Sequence, residues 1–541
     1  MSEPKPSLPL DVIVNVLKTY PAHHIVNSPA ICALVAFSRT SRLYREAASM
    51  PALWEPHYHA LYRHAEQDKE EHRRVEYGND WKELYIARAR LDRQALQHIK
   101  VLIEQPACQE KAMEDLLEMG MDVWDCISSH AEVSAADLVL QSGLGQRPYP
   151  LTWRYQSMLI ARSLTIQDAL RAWSKLVPTA SSSDNDLSFV DSLCYLSSFY
   201  GVPKSDIVEK LAVLGEQCRD FLKTTVGAVS LDPLDASYDL PALCRSICAF
   251  MKTQGFNLAT ASFSCLWNKF PHAYISTHKS CIPLSLMHIF ISLCRQHGIQ
   301  ASPINFPRSV LVHVQEPGTD TPLIINPAAQ ELEDTVLNQL PHERTGTSPM
   351  AIPAFPGPQD TLMVPCSTAS MLIRTSYNIL RSLGDEHATR SQEDMPRFIR
   401  RRGDGIEVKY FVGMFFKHRK YGYRGVITGW NPMCTQSTAW VKQMGVTSLE
   451  RGVDQPFYHA LSDEGLGRIS HRYVAEDNIE PLDHKMSAEE VIAFLDADPE
   501  IASKFGDLET GWDREDGFER FILSPRHRMM YPDDHDYGIH W

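Results

Sequence analysis

Between Tyr410 and Leu482 the chain carries five short aromatic and β-branched runs, each bounded by Gly, Pro, Asn or Asp. They are Phe411–Gly413, Gly425–Trp430, Thr438–Val441, Gln455–Leu461 and Arg472–Ala475. The breakers recur too often for a helix of several turns, and the runs have the composition of strands. Strands at this spacing in about 75 residues predict a small β-barrel. It is a small part of a 541-residue chain, for which three or four cores are expected at roughly 100–200 residues per domain.

The rest of the chain reads differently. Val12, Ile13, Val16 and Leu17 recur at helical spacing behind Leu8-Pro9-Leu10, where a proline suits a helix start. A second stripe follows at Ile31, Leu34 and Val35, and Pro51-Ala52-Leu53-Trp54 closes the unit. Residues 60–100 are highly charged and read as a solvated or linking helix. Residues 100–300 are mostly helical in pattern, with a polar break at 178–187. From about 302 two β-rich runs, Ser309–Val314 and Leu323–Asn326, flank Pro317-Gly318 as a hairpin. A Pro/Gly-rich loop at 341–360, a helix at 367–383 and a charged linker at 384–406 lead into the β segment. Ser487-Ala-Glu-Glu490 is a capping-box start for one more short helix. The tail after 506 shows little periodicity.

Apolar content of 44% and charged content of 22% are those of a globular protein. A net charge of -14 argues against a chain dominated by contacts to phosphate backbones. The 12 cysteines form no CxxC pair, so reduced thiols in a cytoplasmic or nuclear protein are expected. No basic-then-apolar leader is visible at the start, and no run of about 18 apolar residues suggests a membrane span.

Three stretches resemble known families. VGMFFKHRKYGYRGVITGWNP, QPFYHALSD and RYVAEDNIEPL resemble the YccV/HspQ-like domain, often labelled hemimethylated-DNA-binding. The label implies DNA. Yet residues 406–484 hold nine Lys/Arg and nine Asp/Glu, and a neutral module gains little from counterion release. Bacterial relatives of this domain are protease-associated factors, so the resemblance implies a protein ligand ahead of nucleic acid. The residues expected to meet it are Lys417, His418, Arg419, Tyr421, Tyr423, Arg424, Trp430, Phe457, Tyr458 and His459.

The N-terminal pattern resembles an F-box, a three-helix unit that packs on a Skp-type adaptor and through it joins a cullin ubiquitin ligase. A unit of this size and apolar content is expected to need a partner groove. The adaptor-facing candidates are Leu8, Pro9, Leu10, Val12, Ile13, Val16, Leu17, Leu34, Val35, Leu53 and Trp54.

Residues 281–327 resemble a transglutaminase-like domain in Ile282-Pro283-Leu284-Ser285-Leu286, Arg295-Gln-His-Gly298, Asn305-Phe306-Pro307 and Ile325-Asn326-Pro327. Cys281, His313 and Asn326 invite a Cys-His-Asn acyl-transfer reading, with thiolate, base and orienting amide. The family departs from this chain at each position. Its histidine falls at Ser309, about 13 Å along a strand from His313 at roughly 3.3 Å per residue. Its aspartate is Asn326, and relatives have glycine at Cys281. The resemblance therefore implies a degenerate, non-catalytic fold.

The expected architecture is multidomain α+β. An F-box at 5–58 and a helical linker region at 59–150 come first. A mostly helical transglutaminase-like domain with a small antiparallel sheet follows at 151–383, then a linker at 384–407. A YccV/HspQ-like barrel at 408–484 and a C-terminal helix and tail at 485–541 complete the chain. The function expected is a substrate receptor of a cullin-type ligase, binding a Skp-type adaptor and a protein substrate, with no cofactor and no metal. The alternatives are a cysteine acyl-transfer enzyme using Cys281 and a DNA-binding chromatin protein. His23-His24, His57-x-His59 and Asp533, Asp534, His535, Asp536 and His540 lack the spacing of a structural metal site.

Overall fold

The computed structural model describes residues 8–22, 29–134, 136–138, 148–176, 187–225, 235, 237–259, 265–306, 310–315, 322–329, 335–336, 364–387, 400–402, 407–436, 438–463, 469–482, 484–497, 501–510 and 518–534. His23, His24, Ser309, His535, Asp536 and His540 lie outside these residues. The chain divides into two compact units. One joins residues 1–164 to residues 394–541, and the other comprises residues 165–393. Among the described residues no helix is long and apolar enough to cross a membrane.

The first unit opens with α1 (Leu10–Leu17), α2 (Pro29–Ser38), α3 (Arg42–Ala48) and α4 (Pro51–Leu61). Ser41 caps α3 by accepting the Tyr44 N–H, and Pro51 occupies the first turn of α4. Ile13, Leu17, Leu34, Leu53 and Trp54 form one core with Tyr58, Leu61, Leu84 and Tyr85. Trp54 also donates its indole N–H to the Ala48 carbonyl at 2.7 Å. That core runs on into α5 (Gln67–Tyr77) and α6 (Trp81–Glu104), and Asp80 caps α6.

The charged stretch at 60–100 is more than a wet face. Arg73 forks onto the buried Asp122 carboxylate with two bonds of 2.7 Å. Arg88, only 1% exposed, donates to the carbonyls of His64 and Asp122 and stacks over Tyr62. His64 Nδ1 lies 2.6 Å from Asp125. Pairing and hydrogen bonding offset the desolvation of these ions. The network ties α5 and α6 to the turn between α7 (Gln109–Met119) and α8 (Trp124–Ala131).

In the second unit β1 (Asn257–Leu258) pairs in parallel with β2 (Ser280–Cys281). The helix Pro283–Gln296 follows, buried nearly all round, with Pro283 in its first turn. Next comes an antiparallel sheet of β3 (Ala301–Ile304), β4 (Leu311–Val314) and β5 (Leu323–Ile325), in that order. The β4–β5 hairpin is the one the sequence pattern predicts, and β3 adds a strand to it.

The C-terminal part returns to the first unit. It holds β6 (Phe415–His418), β7 (Arg424–Asn431), β8 (Phe457–Asp463), β9 (Ile469–Ala475) and β10 (Ile479–Pro481), ordered β10-β6-β7-β8-β9. One 3-10 turn, Glu476–Asn478, carries the chain from one edge strand to the other. Four Cα steps reach at most about 14 Å. Five flat strands about 4.8 Å apart would hold their edges about 19 Å apart. The sheet must therefore be rolled, as a small barrel is.

Two expectations are corrected here. Thr438–Gln443 is a helix and not a strand. Its apolar face (Trp440, Val441) packs with Val446 and Phe457, and Gly445 at φ +69° ends it. The described part of the tail, which shows little periodicity in sequence, forms two strands and a short helix. β11 (Phe505–Thr510) and β12 (Phe518–Leu523) pair antiparallel, and Phe505, Phe521 and Tyr531 enter the barrel core together with Leu138 and Leu151. Phe521 N–H bonds Gly413 O at 3.0 Å. A Cβ on Gly413, which sits at φ +96°, would lie 2.2 Å from Phe521 O.

Candidate functional site

The N-terminal candidates divide by face. On α1, Ile13 and Leu17 point inward at 3% and 2% exposure, while Val12 and Val16 are 40% and 56% exposed, and Leu8, just before the helix, is 56% exposed. Val12 and Val16, four residues apart, share one outward face of α1, and Leu8 just before the helix and Tyr20 just after it are exposed as well. Leu34, Leu53 and Trp54 belong to the core, with Leu10 and Val35 packed half-buried against it. These residues position the stripe and do not present a surface themselves. Pro9 is exposed at the helix entry.

Cys281, His313 and Asn326 do not assemble. Cys281 lies on β2 opposite Leu258, its carbonyl accepts from Ala259 N–H, and its side chain is fully buried. Burial pushes its thiol up to about 12, the reverse of an activated nucleophile. His313 lies mid-β4 between Ser302 and Ile324, and burial lowers its imidazole below the usual value. The Asn326 side chain accepts the Ala328 N–H in a local turn. Among the described residues no hydrogen bond links any two of the three.

Another thiol–imidazole contact, absent from the sequence reading, lies deeper. Cys194 Sγ is 3.8 Å from His288 Nε2. His288 Nδ1 meets the Tyr274 hydroxyl at 2.6 Å, and Nε2 meets the Val190 carbonyl at 3.0 Å. A carbonyl only accepts, so Nε2 carries the proton and no lone pair remains there to take one from the thiol. Burial holds His288 down at about 4 and Cys194 up at about 12. This is a satisfied core cluster.

The barrel candidates also divide. Trp430, Phe457 and Tyr458 are core residues, and His418 is buried at 4% exposure. Tyr458 donates to Glu476 at 2.5 Å, and Trp430 donates to Asp534 at 3.1 Å. His459 is half-buried beside Asn431 and Tyr473. Arg424 is held by Glu490. Lys417, Arg419 and Tyr421 are exposed at the tip of the β6–β7 hairpin, with Tyr423 half-buried behind them. Asp534, which the tail sequence offered as a metal candidate, serves structure instead. Its carboxylate accepts from Val412 N–H, the Trp430 indole and Arg402. Of the other metal candidates, His57 is buried in α4, and His59 packs on the Trp81 ring. Among the described residues no group of three or more His, Cys, Asp or Glu is placed to hold a metal ion.

Comparison with known proteins follows this division. Residues 210–376 match the transglutaminase-like superfamily, and residues 408–508 match the family described as hemimethylated DNA-binding protein YccV like. The chain therefore carries a transglutaminase-like domain followed by a YccV-like domain. Among curated proteins it is similar to F-box only protein 21 of Homo sapiens and of Pongo abelii. Each is 31% identical over 151 residues, which is 28% of this chain and 21% of the relative. The Mus musculus protein of the same name is 30% identical over the same length. The match thus spans about a fifth of these relatives' length. No solved structure matches the chain.

Proposed function

We propose that this chain is the substrate-receptor subunit of a cullin-type ubiquitin ligase. Residues 5–58 act as an F-box that binds a Skp-type adaptor, and the transglutaminase-like and YccV-like domains select the protein to be modified. Ubiquitin transfer is carried out by other subunits.

The observation that carries this reading is the exposed apolar stripe of Val12 and Val16, with Leu8 just before it, on a helix whose other face is already anchored in its own core. A helix that is apolar on both faces is built to be covered on both. The name of the similar relatives, F-box only protein 21, supports the same reading. In this proposal the transglutaminase-like domain is a pseudoenzyme. Its Cys281 thiol is buried and raised, and neither His313 nor Asn326 is bonded to it. Co-purification of the full chain with a Skp-type adaptor tests the proposal. Capture that is lost when the stripe is removed is the expected outcome, and a folded chain that never captures the adaptor refutes it.

A further inference from the structure

We propose that the tip of the β6–β7 hairpin, with Arg472 beside it, is a docking site for an acidic peptide segment of a partner protein. This names the substrate class of the receptor proposed above and rests on that reading.

The sequence count of nine cations against nine acids makes the YccV-like module neutral. The structure distributes those charges unevenly. Arg451 is held by Glu476 and Asp477 at 3.0 and 2.9 Å, and Arg424 is held by Glu490. Of the charges counted over 406–484, these pairs occupy two cations, Arg424 and Arg451, and two acids, Glu476 and Asp477, while Glu490 lies beyond that stretch. Lys417, Arg419 and Lys420 are exposed, and among the described residues no carboxylate forms an ion pair with any of them. Glu480, opposite Lys417 in the β10–β6 ladder, is the nearest acid by register. Three cations thus crowd a four-residue stretch of a module that is neutral in sum.

The tip is also shaped before any ligand arrives. His418 Nδ1 accepts the backbone N–H groups of Lys420 and Tyr421 at 3.1 and 3.2 Å. His418 N–H donates to Tyr423 O, and Gly422 N–H donates to His418 O, with Gly422 at φ +71°. The His418 ring lies 4.9 Å from the Tyr421 ring and 4.7 Å from the Tyr423 ring, and the two tyrosines are parallel within 7°. Lys420 sits 5.3 Å over Tyr421, and Arg472 sits 5.9 Å over Tyr423. Tyr421 remains 67% exposed. A peptide with carboxylates meets fixed cations there, and its apolar side chains meet an aromatic wall. Little ordering remains to be done on binding.

The charge balance of the whole chain favours a short acidic peptide over a nucleic acid. At physiological salt, fields decay over about 8 Å. A short segment therefore feels the local cations, whereas a duplex also lies against a chain of net charge -14. Three neutralised phosphates release too few counterions for firm binding.

The test uses the full chain and fluorescence anisotropy. The probe is a fluorescein-labelled 12-residue Glu-Glu-Phe repeat, compared with its Gln-Gln-Phe counterpart and with a 20-base-pair duplex. The wild type binds the Glu peptide and not the Gln peptide, and raising salt weakens binding. The triple substitution Lys417→Gln, Arg419→Gln, Lys420→Gln weakens it by about 3- to 150-fold, the range expected for losing three exposed ion pairs. The surface control Lys100→Gln, Lys111→Gln leaves it unchanged. Equal binding of the two peptides, an unaffected triple variant, or a duplex that binds more tightly through the same three residues would overturn the proposal. Adaptor capture is read in parallel. A chain that captures adaptor but ignores the Glu peptide loses only this inference, whereas one that fails to capture adaptor loses the receptor reading.

Discussion

Replacing Leu8, Val12 and Val16 together by alanine removes the exposed apolar side chains on and just before α1 and leaves the inward face of Ile13 and Leu17 in place. Full burial of a Val or Leu side chain is worth about 1.5–3 kcal/mol. These three stand 56%, 40% and 56% exposed, so a partner groove gains about half of that at each. Alanine keeps one methyl, which leaves a loss of about 2–3 kcal/mol in all, or a rise in Kd of about 30- to 150-fold. Stability should move by only about 0.5 kcal/mol, since the residues are exposed and alanine suits a helix. Ile13→Ala or Leu17→Ala should behave in the opposite way. At 3% and 2% exposure each opens a cavity and destabilises the core by about 2–5 kcal/mol. Titration calorimetry against a purified Skp-type adaptor, with a thermal melt of each variant, separates the two effects. A folded triple variant that binds within about threefold of wild type would refute the assignment of this face.

Three further outcomes follow from the geometry. With its thiol pushed up to about 12, Cys281 should resist iodoacetamide at pH 7.5 in the folded chain while the exposed Cys32 and Cys108 label, and rapid labelling of Cys281 by mass spectrometry would contradict its burial. Asp92 is raised to about 7, chiefly by burial, and accepts the Tyr62 hydroxyl at 3.0 Å. A carboxyl raised on folding binds its proton more tightly in the folded state. Its contribution is therefore complete below about pH 4 and is lost as pH rises through 7, by up to about 4 kcal/mol. Asp92→Asn should gain on wild type in urea melts from pH 5 to pH 8, and a pH-independent difference would count against the shift. Gly413→Ala should destabilise the barrel by about 2 kcal/mol or more, from the left-handed backbone and the clash with Phe521 O. An unchanged melting temperature would show that the tail does not press there.

Much of the architecture was legible because it is written in local periodicity. The Gly- and Pro-bounded runs forecast the rolled sheet, and the β-branched residues around 309–326 forecast the β4–β5 hairpin. Thr438–Gln443 misled because a short run with Trp and Val suits strand and helix alike, and only Gly445 marked a helix end. The alternation in Phe518-Glu-Arg-Phe-Ile-Leu was a strand signal, but its partner, β11, carries charges that masked it. Site residues were harder to read, because composition does not say which face is inward. Trp430, Phe457 and Tyr458 are the aromatic types that line binding surfaces, yet here they fill the core. Leu8, Val12 and Val16 could not be told from Ile13 and Leu17 by hydropathy alone. The neutral count over 406–484 was correct as a sum, but it could not reveal which charges cancel in pairs.

The shared core of Leu138 and Leu151 with the barrel and its tail has a consequence for biosynthesis. The ribosome makes the helices of the first unit early, then spends about 10–50 s on the intervening chain at 5–20 residues per second before the barrel residues emerge. During that interval Leu138, Leu151 and Tyr155 have no barrel to close on, while the transglutaminase-like unit is free to fold. The strands made last thus complete a core whose first residues were made long before them.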